Sequence, residues 1–91
     1  MHIIRRIIYV KDREKFEKII RSPDNTNWRE LETLIKYYGC QVKDGRIHKI
    51  VFHKIRNRPL TISVHGGKVK TVYVKEIIKL IKEIREEDNY E

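Results

Sequence analysis

The chain has 91 residues, with 21 Lys and Arg against 13 Asp and Glu, for a formal net charge of +8. That length suits one domain with a small core, and 40% apolar residues argue against wholesale disorder despite 37% charge. No apolar run approaches the roughly 20 residues of a membrane span, Arg5 and Arg6 interrupt the apolar start in a way foreign to a secretory signal, and the single Cys40 excludes an intrachain disulfide or a cysteine-built zinc site.

Residues 1–11 are ambiguous. Ile3, Ile4, Ile7 and Ile8 fit a helical stripe, while their β-branched density favours a strand leading into the first helix. A helix is expected over 12–21, with Asp12 as its cap and Phe16, Ile19 and Ile20 on one stripe. Ser22-Pro23-Asp24-Asn25-Thr26 collects turn formers and a helix-stopping proline, and reads as a loop. The next helix is expected from Trp28 to Tyr38. Asn27 and Glu30 have capping-box spacing, Trp28, Leu31, Leu34, Ile35 and Tyr38 form the apolar stripe, and Gly39 closes the helix.

Beyond Gly39 the period changes. Residues 40–42 read as a short strand, Asp44-Gly45 as a hairpin signal, and Ile47 to Ile55 as a longer strand. Leu60, Ile62 and Val64 alternate with Thr61, Ser63 and His65, the pattern of a half-buried strand. Gly66-Gly67-Lys68-Val69-Lys70 reads as a flexible basic loop able to offer N–H groups and lysines to phosphate, without the full P-loop pattern. A last helix, Thr71 to Glu87, places Val74, Ile77, Ile78, Ile81 and Ile84 on one face.

The expected architecture is α+β. An α-β-β-β-α core of the double-stranded-RNA-binding-domain type has a three-stranded antiparallel sheet with both helices on one face, preceded by an N-terminal helix, with an extra strand as the alternative for the first residues. In domain terms, residues 1–27 form an N-terminal extension with helix 12–21, 28–87 the core, and 88–91 a frayed acidic tail.

Charge is segregated. Residues 40–75 hold nine Lys and Arg against a lone Asp44, a surplus equal to that of the whole chain, and also His48, His53 and His65. Such a segment is the footprint of a polyanion partner, although it would also serve as a solvated face or attract an acidic protein. The expected phosphate contacts are Arg46, Lys49, Lys54, Arg56, Arg58, Lys68 and Lys70.

Trp28-Arg-Glu-Leu-Glu-Thr-Leu-Ile-Lys-Tyr-Tyr-Gly39, Asp44-Gly45-Arg46-Ile47-His48 and Arg58-Pro-Leu-Thr-Ile-Ser-Val-His-Gly-Gly-Lys68 resemble the HicA toxin family. The resemblance covers about residues 12–85, including the Ser22-Pro23-x-Asn25 link. It departs from the family pattern at Ile47, where many members carry serine, and in the spacing of Phe52. It implies a small cytoplasmic endoribonuclease of a toxin–antitoxin pair, which cleaves mRNA and inhibits translation. Such a protein is neutralised by a HicB-like acidic antitoxin, with which it can form a hetero-oligomer. By resemblance, His48 is the strand histidine that does the chemistry.

Histidine suits that task because its ordinary pKa of ~6.5 lets it accept and donate protons near neutrality. A base at His48 would take the 2′-hydroxyl proton of a ribose, with Arg46, Lys49, Arg58 and Lys68 placed to stabilise phosphate charge. The route needs no metal or other cofactor. His65, at a strand end, is a second proton carrier, a phosphate contact or a plain surface residue, and His53 reads as surface. His48 shares strand parity with Ile50 and Phe52, so alternation would aim it to their side unless the hairpin tip or a bulge exposes it. Trp28, Tyr37, Tyr38 and Phe52 read as core, and Cys40 as a small buried residue. The competing functional reading is a non-catalytic RNA-binding module of the same fold, which would tolerate loss of His48.

Overall fold

The computed structural model describes residues 14–88; the expected Asp12 cap, the ambiguous residues 1–11 and the tail beyond 88 lie outside them. Helix α1 occupies residues 14–21 and is followed by a 3-10 turn, Pro23–Asn25. Helix α2 (Trp28–Tyr37) leads into strands β1 (Gln41–Asp44), β2 (His48–Phe52), β3 (Leu60–His65) and β4 (Lys68–Val69). Helix α3 (Thr71–Asp88) completes the order. The fold is α+β and of the expected α-β-β-β-α type, with one short strand added.

The sheet is antiparallel throughout, in the order β1-β2-β3-β4. The added strand corrects the reading of residues 66–70 as a flexible loop. Gly66 and Gly67 both take positive φ, +58° and +78°, the two-residue turn whose twist matches a tight hairpin. They return the chain so that Val69 lies opposite Val64 and Lys68 opposite His65. Loop 26–28 then fastens this hairpin, the Trp28 N–H donating to the Gly67 carbonyl (2.7 Å) and the Val69 N–H to that of Thr26 (3.3 Å).

Helix α2 begins and ends as its residues dictate. The Asn27 side chain accepts a bond from the Glu30 N–H at 2.8 Å and donates to the Glu30 carboxylate at 2.7 Å, so the cap is reciprocal through two side chains. At the other end Gly39 takes φ +88°, and the Gly39 and Cys40 N–H groups return to the carbonyls of Lys36 and Ile35, each at 3.0 Å, a Schellman closure.

The core lies between the helices and one face of the sheet. Phe16, Leu31, Leu34, Ile35, Val51, Ile62, Val74, Ile77, Leu80 and Ile81 are essentially inaccessible. Leu80 joins the α3 stripe at the helical spacing from Ile77 and Ile84, whereas Ile78 is only partly buried. Ile20, expected in the α1 stripe, is exposed because Phe16 and Ile19 alone complete that face. Arg85 of α3 sits over the Phe16 ring, 5.0 Å from its centroid. Among the described residues no helix is long and apolar enough to cross a membrane.

Candidate active site

The first hairpin sets the position of His48. Strand β1 starts at Gln41 and β2 ends at Phe52, so Cys40 and residues 53–55, expected in strands, fall outside them. Asp44 pairs with Lys49, and the Gly45 N–H donates to the His48 carbonyl at 2.8 Å. The tip is therefore Arg46-Ile47, not Asp44-Gly45. Gly45 is needed for a different reason from that of a left-handed turn residue: a Cβ there would lie 2.8 Å from the His48 carbonyl oxygen. Its bare backbone lets the two strands close directly beneath His48.

Register decides which way each side chain points. His48 lies opposite Ser63, Ile50 opposite Thr61 and Val51 opposite Leu60. Val51 and Ile62 are buried under the helices, so the alternate set faces the other way. That set contains Gln41, Lys43, His48, Ile50, Phe52, Thr61, Ser63, His65 and Lys68. The parity conflict thus has a simple resolution: His48 does share a face with Ile50 and Phe52, and that face is the open one. Phe52, expected in the core, is 38% exposed there. Tyr37 is also exposed rather than core, while Trp28 and Tyr38 are buried.

His48 is exposed at the start of β2. Ser63 is its cross-strand neighbour, His65 follows two residues along β3 on the same face, and Lys68 faces His65 from β4. Diagonal positions on one sheet face stand about 7–8 Å apart. The two histidines thus flank a patch floored by the small Ser63 side chain, with Lys68 at its rim.

Of the expected phosphate contacts, Lys68 on the open face and Arg46, Lys54, Arg58 and Lys70 in loops have no ion-pair partner among the described residues, and neither does Lys43 on the open face. Two contacts are engaged elsewhere. Lys49 alternates onto the helix side, 2.7 Å from the Asp44 carboxylate and 6.0 Å from the centroid of the Trp28 ring. Its hydrogen bond and charge hold the Asp44 carboxyl below its usual pKa. Arg56 makes a bidentate pair with Glu83 of α3, both contacts 3.0 Å. That hydrogen bonding lowers the Glu83 pKa and raises that of Arg56.

His53 is not a plain surface residue. Its Nδ1 accepts from the Ile55 N–H at 3.1 Å, which leaves Nε2–H to donate to the Tyr38 carbonyl at 3.1 Å. It fastens the end of β2 to the end of α2, on the far side of the sheet end from His48. Cys40 is buried, and desolvation pushes its thiol up to about 11, so it stays protonated and unreactive near neutrality. Among the described residues no three His, Cys, Asp or Glu side chains gather as a cation site.

Helices on one side of a sheet, with histidines and, among the described residues, lysines without ion-pair partners on the other, define a small α+β domain of the double-stranded-RNA-binding type whose free face is basic. The model of the family described as HicA toxin of bacterial toxin-antitoxin matches residues 28–83. The chain belongs to the HicA toxin family, and so to toxin–antitoxin systems, in which the toxin has an antitoxin partner. The match begins at Trp28, so α1 and the Ser22-Pro23-x-Asn25 link lie outside it. Neither the comparison with curated proteins nor that with solved structures gave a match.

Proposed function

We propose that the protein is a metal-independent endoribonuclease that cleaves mRNA through His48 and so inhibits translation. The observation that carries this reading is His48 exposed on the open face, diagonal to His65, with Lys68 beside them. His48 accepts the proton of a ribose 2′-hydroxyl, and the 2′-oxygen attacks the adjacent phosphorus. His65 donates a proton to the departing 5′-oxygen as the P–O5′ bond breaks, leaving a 2′,3′-cyclic phosphate and a 5′-hydroxyl. Lys68 and Arg46, at either side of the histidines, stabilise the charge that builds on the non-bridging oxygens.

Lys43, Lys54 and Arg58 extend the positive field away from the histidines and hold the RNA backbone by charge. The same field suits a HicB-like acidic antitoxin that covers the open face and masks His48. Cytoplasmic mRNA is the natural substrate for such a toxin, and residues 28–87 form the catalytic core.

The test is incubation of the wild-type protein and His48→Ala with a long single-stranded mRNA in EDTA, both confirmed folded. Cleavage by the wild type and none by the variant is expected. Equal cleavage by both would remove His48 from the chemistry, and binding without cleavage by either would leave an RNA-binding module.

A further inference from the structure

We infer that the open sheet face binds single-stranded RNA with a base stacked on Phe52, at the end of the strand opposite His48. The inference rests on the ribonuclease reading and adds its substrate form: an unpaired strand laid across the sheet.

Phe52 belongs to β2, four residues beyond His48 on the same face, or about 13 Å along the strand. It is 38% exposed although large and apolar. Ile50 stands between the two on that face, so an apolar track joins the histidine to the aromatic ring. Gln41 lies directly across from Phe52 on β1. Its amide carries both donors and an acceptor, as needed to meet the edge of a base lying on the ring. Phe52 and Gln41 also border a groove of about 780 Å³ that continues past Lys54 and Ile55 around the end of the sheet to Ile84 and Glu87 of α3, where a carboxylate closes its helix side.

Charge identifies the occupant. Lys43 beside this track and Lys54 and Arg58 in the loop after Phe52 have no ion-pair partners among the described residues. The one acidic residue of the segment, Asp44, is held by Lys49 on the other side. An apolar ring set among such cations on an open sheet face matches alternating bases and phosphates of a single strand. A duplex hides its base faces and would leave Phe52 without a partner.

The experiment measures binding of a short single-stranded RNA with 2′-O-methyl riboses, which cannot be cut by 2′-oxygen attack, and of the same strand annealed into a duplex. Wild type, Phe52→Ala, Phe52→Leu and Phe52→Trp are compared, with thermal unfolding as the control for folding. Phe52→Leu keeps apolar bulk without a π-face, so it tests stacking even if the alanine variant folds poorly. The expected result is single-strand affinity reduced roughly 5- to 140-fold in the Ala and Leu variants. Phe52→Trp should restore binding, with its fluorescence quenched by the RNA, and duplex binding should be unchanged across the series. Wild-type affinity in folded Phe52→Leu would overturn the inference. Failure of the wild type to bind either RNA would overturn the ribonuclease reading itself.

Discussion

The two faces of the sheet are built from the same three long strands, yet they do different work. On the helix side, Val51 and Ile62 are almost inaccessible and belong to one core cluster with Leu34, Ile35, Ile77 and Ile81. Even the one lysine there, Lys49, is engaged with Asp44 and Trp28. On the open side the alternate residues include His48, His65, Lys43 and Lys68, together with the exposed Phe52. Stability resides on the first face, and the chemistry proposed for this protein on the second. Because neighbouring residues of one strand serve opposite faces, substitutions one position apart should separate the two properties.

The sharpest break in stability should come from Ile62→Ala. It removes a side chain with no exposure at the centre of the sheet, which costs about 2–5 kcal/mol in such cores. Denaturant unfolding should show the midpoint falling sharply, and the neighbouring Thr61→Ala on the open side should barely move it. A smaller effect is expected at the β3–β4 turn. Gly67 has φ +78° with open space where a Cβ would go, so Gly67→Ala should cost about 1 kcal/mol through backbone strain alone. Gly45→Ala fails for the opposite reason, a contact with the His48 carbonyl. It should reduce cleavage more than its stability loss explains, since the displaced group carries His48.

The double substitution Lys43→Gln/Lys68→Gln should leave unfolding unchanged but flatten the salt dependence of RNA binding. The slope of log affinity against log salt should fall by about 0.7 for each phosphate contact removed from a single strand. Smallest of all should be Glu83→Gln, which breaks the half-exposed pair with Arg56 and is expected to cost about 0.2–1 kcal/mol. Arg56 lowers the carboxyl's pKa in the folded protein, so the pair stabilises above the unfolded carboxylate pKa. That contribution disappears as pH falls through the lower folded value. Melting curves of wild type and variant should therefore differ near neutrality and converge in acid.

Much of this architecture was legible in the residues. Asn27, Glu30 and Gly39 bound α2 as their chemistry requires, and the alternation from Leu60 to His65 gives β3 with its correct face. The rest depends on tertiary partners. A two-residue strand has no periodicity, so β4 showed only as the glycine pair that makes its turn, which also reads as a loop. Strand β2 is apolar on both faces. Phe52 therefore reads as core, and His48's shared parity with Ile50 as a conflict, until the pairing of Val51 with Leu60 fixes the inward side. Lys49 and Arg56 looked like phosphate contacts because their acidic partners, Asp44 and Glu83, are found only once the chain folds. His53 looked like surface for the same reason, its two hydrogen bonds being to backbone groups. His48 and His65 were legible as candidates, while their shared face needed the register.

In the proposed division, catalysis and stability lie on opposite faces of the sheet, and His48 belongs to catalysis alone. The most direct test of that division measures thermal unfolding and RNA cleavage on one preparation of His48→Gln. The account predicts an unchanged melting temperature and cleavage reduced by about 10²–10⁴-fold. Wild-type cleavage, or a loss of activity matched by a loss of folding, would contradict it.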